Sequence, residues 1–295
     1  MYVITQALPK QFHFLAVWFA LAGCIGCLPL FQVNQLVLLI QSKVTLFSSA
    51  SVSMQPSFYG NAVIGLCLVG LTWLVIKDGL KSIAATTSKL VPAMVCLYFG
   101  IGIIILIQNI SIVPSIFVLI IESAFNPSAA LSGGVTMVML QGIKRGAFSN
   151  EAGIGTEALA HGAAKTKEPV REGLVAMIGP LLDTLIICTL TGFIILIASP
   201  IMNITGVTGI ALTSQAITTL LGSMFGWLFF ICVIAFSFST LIGYSFYSFK
   251  CIRFLVGDQA QKWFSLVYLA MVFIAAIVPL DLILNIVDSA FGLMA

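Results

Sequence analysis

Charge is what this chain has least of. Asp, Glu, Lys and Arg make up only 8% of its 295 residues, hydrophobic residues make up 60%, and the mean hydropathy is +1.14. Soluble domains carry about 25% charged residues, so a water-soluble domain is excluded, and intrinsic disorder and nucleic-acid binding with it. Alternation of period two is missing, which excludes a closed β-barrel. Met1 to Lys10 lacks the basic n-region and small-residue cleavage site of a secretory signal peptide. The two histidines, His13 and His161, make no metal site, and the seven cysteines, mostly inside apolar runs, imply no disulfide framework. Cys24-x-x-Cys27 has no second pair and reads as helix packing. No Gly-x-Ser-x-Gly elbow, Walker loop or His-Glu-x-x-His occurs, so an intramembrane enzyme or an ATP-driven pump lacks its chemistry.

What is present is a series of apolar runs. They are Phe12 to Ile40, Gly60 to Ile76, Leu90 to Ile107, the short Ile110 to Ile121, Ala129 to Leu140 leading into a glycine-rich stretch, Gly173 to Ala198, Phe225 to Tyr247, Trp263 to Pro279, and Leu282 onward. A spanning helix needs about 20 apolar residues, which makes this an all-α integral membrane bundle. Lys10, then Lys77, Lys81 and Lys89, then Lys165, Lys167 and Arg171, then Lys250, Arg253 and Lys262 fall in every second connection, which assigns those loops to the cytoplasm. The sidedness closes if Ile110 to Ile121 stays outside as a short non-spanning helix and Ala129 to Ala164 crosses once. About eight crossings result.

The Ala129 to Ala164 crossing is interrupted by Gly146, Gly153 and Gly155 around a polar core, Phe148-Ser149-Asn150-Glu151. A glycine-interrupted polar break at membrane depth is the sequence mark of a transporter binding site, because freed carbonyls hold cations and freed N–H groups hold anions. The alternative is a glycine-flexed re-entrant turn on the cytoplasmic side. Glu151 is the only acid at the centre of the break; it either serves the substrate or fixes the broken backbone.

The stretch Arg145-Gly146-Ala147-Phe148-Ser149-Asn150-Glu151-Ala152-Gly153-Ile154-Gly155, followed by Ala160-His161-Gly162-Ala163-Ala164-Lys165-Thr166, resembles the RG-x-FSNEAG-x-G…AHAAAKT segment of the sodium:alanine symporter family. Lys89-Leu90-Val91-Pro92, Ala124-Phe125-Asn126-Pro127-Ser128-Ala129-Ala130, Asp183-Thr184-Leu185-Ile186-Ile187-Cys188-Thr189, Phe236-Ser237-Phe238-Ser239-Thr240, and Asp288 with Gly292-Leu293-Met294-Ala295 extend the resemblance over nearly the whole chain. It implies a five-plus-five inverted-repeat bundle of the LeuT type, with 1–109 ending the first repeat, 110–128 a short extracellular helix and loop, and 129–295 the second repeat. Five crossings run from the broken one onward and three precede it. On that architecture the chain is a partial bundle, truncated at both ends, whose other broken helix lies ahead of Met1.

The resemblance also implies a function: symport of a small neutral amino acid, alanine or glycine, with a co-transported sodium ion, by alternating access in the plasma membrane, multi-pass in the lipid bilayer and of bacterial inner-membrane type. A small zwitterion needs donors for its carboxylate and acceptors for its ammonium. Phe148, Ser149, Asn150, Glu151 and Gly153 supply these at the break, and Gln32 and Asn34 match the family's Q-x-N pair facing the pocket. Sodium is a hard cation that prefers oxygen. Ser239 and Thr240 match the family's hydroxyl pair for it, although Ser and Thr also bond back to their own helix. Pro29 and Glu157 depart from the family pattern; Pro29 should kink its helix, and Glu157 alters the inner vestibule or pairs with a basic residue. Asp183 and Asp288 read as structural partners near span ends. The alternatives are a proton-coupled or other small-solute carrier of the same fold, and a non-transporting remnant.

Overall fold

The structure, a computed structural model, describes residues 1–47, 58–125, 135–202 and 209–294. All regular elements among them are helical. In lipid a backbone has no water to bond, so an apolar stretch satisfies its own N–H and C=O groups only by coiling. Five helical segments are long and apolar enough to cross a membrane: Lys10–Gln41, Phe58–Ile76, Ser82–Gln108, Pro169–Ala198 and Ser223–Val256. Val113–Phe125 is a separate helix of 13 residues, too short to cross. Ala260–Ile277 and Leu280–Met294 follow the last long helix. The start of the Ala129 crossing and the Asn126-Pro127-Ser128 motif lie outside the described residues.

Three expectations need correction. The first run is two helices and not one kinked helix: His13–Gly26 ends and Leu30–Phe47 begins, with Cys27, Leu28 and Pro29 between them. Proline without an N–H cannot continue the ladder, and packing makes the interruption complete. Gly146 lies within the Val135–Ser149 helix and not in the break. The connection between the Gly173 to Ala198 and Phe225 to Tyr247 runs, to which the sequence pattern assigns no element, contains the helix Ile210–Leu221.

The described residues fall into two compact units, Met1–Met94 with Val233–Ala295, and Val95–Cys232. In the first unit small residues set the approach of helices. A Cβ on Gly65 would meet Ala276 at 2.8 Å, and one on Gly26 would meet Phe291 at 2.9 Å. Polar side chains there bond carbonyls where helices end. Pro279 has no N–H to offer the Ala275 carbonyl one helical turn back, so Asn34 Nδ2 donates to it at 3.3 Å and to Val278 O at 2.8 Å. Ser248 Oγ donates to Cys27 O at 2.9 Å, where the first run is interrupted. The fully buried Tyr268 donates to Leu241 O at 2.6 Å.

In the second unit Leu190 fills the notch left by Gly102, where any Cβ would collide with it, and Ile194 is fully buried. Tyr98 is hydrogen-bonded to Thr191, and its ring lies 5.9 Å from that of Phe229. The Pro169–Ala198 helix changes winding partway along. Pro180 withholds an N–H from Ala176 O, and from Leu181 to Cys188 the helix runs as a π-helix. That change decides which side chains face the broken crossing.

Candidate functional site

The break begins after Ser149, the last residue of the Val135–Ser149 helix, and the chain resumes as a short helix at Glu157–His161. Glu151 has φ 60°, the one left-handed non-glycine residue among those described, and Gly155 has φ 78°. A left-handed non-glycine residue costs about 1 kcal/mol or more, and side chains hold it here. Asn150 Oδ1 accepts from Ala152 N at 3.2 Å, closing an Asx turn over Glu151, while Thr156 Oγ1 donates to Glu151 Oε2 at 3.1 Å. Ile154 and Thr156, each 1% exposed, anchor the far side of the turn. Gly153 has no room for a side chain: a Cβ would lie 2.9 Å from Ala147 Cβ and 3.1 Å from Ala147 Cα and O, because the turn folds back on the helix it leaves. Of the two readings of Glu151, its position fits fixing of the broken backbone.

Two further contacts tie the break to the next span. Ser149 Oγ donates to Asp183 Oδ2 at 2.5 Å and lies 3.2 Å from Cys188 Sγ, and Asn150 Nδ2 donates to Thr184 Oγ1 at 3.2 Å. Asp183 and Cys188 are five residues apart, the stacking interval of a π-helix, so the altered winding places both against Ser149. The expectation that Asp183 sits near a span end is overturned, since it is the fifteenth of the thirty residues of Pro169–Ala198. An acid at the middle of a membrane helix costs about 2.5–3.5 kcal/mol on insertion scales and is a functional candidate by default. The sequence carried a signal for it: Gly179-Pro180 directly ahead of an Asp-Thr pair inside an apolar run.

Beyond the break, His161 Nδ1 lies 2.7 Å from Glu172 Oε1, and its Nε2 is 3.9 Å from Glu157 Oε1. Glu157, the departure from the family pattern, therefore faces a histidine one turn along its own helix. Its carboxylate also lies 3.4 Å from where a Cβ on Gly179 would stand.

The remaining expected site residues belong to the first unit. Asn34 is 6% exposed and serves the proline-broken helix end described above, while its Oδ1 and Gln32 Oε1 are buried acceptors with no hydrogen-bond partner among the described residues. Ser239 Oγ donates to Phe236 O at 2.9 Å, with Met94 Sδ at 3.8 Å, and Thr240 Oγ1 donates to the same carbonyl at 3.1 Å. A hydroxyl that donates its proton keeps its oxygen lone pairs. Among the described residues no group of three or more His, Cys, Asp and Glu side chains could hold a metal ion.

A family model described as the sodium:alanine symporter family matches residues 1–295. An uncharacterized transporter of Haemophilus influenzae is 40% identical over 239 residues, 79% of this chain and 52% of that protein. The sodium/alanine symporter AgcS of Methanococcus maripaludis is 37% identical over 235 residues, 79% of this chain and 52% of its own. A probable sodium/glutamine symporter of Bacillus subtilis, GlnT, is 34% identical over 252 residues, 84% of this chain and 52% of its own. The chain spans about half the length of these curated relatives. It is a multi-pass plasma-membrane protein by its apolar helices and by this match, and it belongs to the sodium:alanine symporter family.

Proposed function

We propose that the protein is a secondary transporter that carries a small neutral amino acid, alanine or glycine, together with sodium, by alternating access within a partial LeuT-type inverted-repeat bundle. The observation that carries this reading is the break from Ser149 to Gly155: a polar, backbone-exposing interruption of a membrane crossing, within a chain whose whole length matches the family. Non-helical backbone persists in a membrane where it lines a cavity or is buried in protein, and freed N–H and C=O groups are what a zwitterion requires.

In this reading Phe148, Ser149, Asn150 and Gly153 form the substrate side, with Glu151 holding the turn that presents them and Gln32 and Asn34 facing the solute. Ser239 and Thr240 contribute oxygens to the cation. The free lone pairs of their hydroxyls and the buried unpartnered oxygens of Gln32 and Asn34 support those roles. The membrane potential supplies about 2.3 kcal/mol per charge per 100 mV, enough for one co-transported cation to concentrate a neutral zwitterion roughly fiftyfold.

Uptake of labelled alanine into proteoliposomes under an inward sodium gradient tests the reading. Uptake driven by sodium and lost in Asn150→Ala and in the Ser239→Ala/Thr240→Ala double variant is the expected result. Uptake of equal rate with choline replacing sodium would overturn it.

A further inference from the structure

We propose that Asp183 is the counter-charge of the break: a carboxylate placed at mid-span to receive a monovalent cation, either the ammonium of the transported amino acid or an alkali ion. The proposal rests on the transport reading above and adds a cation-accepting group that the sequence pattern had placed at a span end.

Three observations converge on it. Depth is the first. Asp183 is the fifteenth of thirty residues in an apolar helical segment, eleven residues beyond Glu172, the charged residue that precedes it, which is about three helical turns and beyond the reach of its short side chain. The second is charge. The ion pairs described are His161 with Glu157 and Glu172, and Arg253 with Asp258, so among the described residues Asp183 faces no cation. Intramembrane carboxylates are held by pairing, whereas the partner of Asp183 among the described side chains is the Ser149 hydroxyl at 2.5 Å, a neutral group. The third is aim. The π-helical turn from Leu181 to Cys188 brings Asp183, Thr184 and Cys188 against Ser149 and Asn150, the residues that end the broken helix. An α-helical winding would not stack Asp183 on Cys188, and the bulge directs the charge at the place where backbone is exposed. Such bulges concentrate at functional sites.

Glu151 does not take this role. Its carboxylate accepts from Thr156 within its own turn, so of the two acids near the break, one fixes the backbone and the other faces the next helix.

Cys188 provides a native reporter, because it is exposed and its Sγ lies 3.2 Å from Ser149 Oγ. The intact transporter in membranes is treated with a maleimide, and modification of Cys188 is followed by mass spectrometry with and without ligands. In the wild type, alanine with sodium slows the modification. If the ligand is an alkali ion, sodium alone protects while choline does not; if it is the ammonium, alanine protects while its deaminated analogue propionate does not. Asp183→Asn removes the charge and keeps the shape. It is expected to abolish the protection and to raise the alanine KM or the half-saturating sodium concentration by about tenfold, while Asp183→Glu retains protection. Protection of Asp183→Asn at wild-type concentrations would overturn the proposal, as would equal loss in Asp183→Asn and Asp183→Glu, which would make shape and not charge the cause. Should the variants not fold, the wild type alone decides: protection by propionate equal to that by alanine, with none from sodium, overturns it. Sodium-driven uptake that persists unchanged in Asp183→Asn defeats this inference alone, whereas a wild type without sodium-driven uptake defeats the transport reading beneath it.

Discussion

Two helical stretches of this chain are interrupted, and they are interrupted in opposite ways. At Cys27, Leu28 and Pro29 the interruption is apolar and closed: Ser248 bonds the Cys27 carbonyl, Leu28 N donates to Ile25 O, and Gly26 is pressed against Phe291. At Ser149 to Gly155 it is polar and tied together by side chains, with a strained Glu151, an Asx turn at Asn150, and an acid from the next span on Ser149. The first is an interruption at a proline that neighbouring side chains close. The second keeps a carboxylate and non-helical polar backbone against an apolar helix, which packing alone has no reason to retain.

Gly153→Val gives the largest expected effect, because the added carbons would enter the Ala147 backbone and the turn would have to open. Overpacking of this kind costs about 1–3 kcal/mol, and uptake should fall below detection in protein that still inserts in the membrane. Normal uptake would show that the turn does not need its fold-back. At the apolar interruption, Ser248→Ala removes the hydroxyl that donates to Cys27 O. A lost hydrogen bond between membrane helices costs about 0.6–2 kcal/mol, so the melting temperature in detergent should drop with the alanine KM unchanged. A shift in KM instead would mean that the two interruptions are not as different as their chemistry.

Thr156→Val comes next and removes the hydroxyl that holds Glu151 Oε2. The expected loss is about 1 kcal/mol of stability, with a fall in Vmax as the turn samples other conformations, read from uptake kinetics. Pro29→Ala is the smallest. Gly26 and Ser248 still shape the interruption, so uptake should stay within about twofold of wild type and stability within roughly 0.5 kcal/mol. A strong gain in stability would identify proline itself, and not packing, as the cause of the interruption.

Much of the helical arrangement was legible in the chain. The runs at Gly60, Leu90, Gly173, Phe225, Trp263 and Leu282 all appear as helices, and Ile110 to Ile121 corresponds to a short one, because in lipid an uncharged run has helix as its available backbone solution. The break was legible too, in Ser149-Asn150-Glu151 and the glycines after it. Its inner bonding was not: a sequence does not show that Asn150 turns back on Ala152 or that Gly153 must clear Ala147, since both depend on how the chain folds over itself. Ile210–Leu221 escaped because Thr, Ser and Gln interrupt its apolar pattern.

The sequence by itself determined the solvent of this protein, the helical class, the family and the location of the polar break, since each follows from composition or from a contiguous motif. Tertiary structure decided the partnerships. Asp183 meets Ser149 only because Pro180 leads into a π-helical turn, Asn34 serves Ala275 only because Pro279 withholds an N–H, and Cys27 and Ser248 meet across 221 residues of chain. Hydrophobicity is summed residue by residue along the chain. A hydrogen bond between two spans exists only once both helices have their winding and their neighbours.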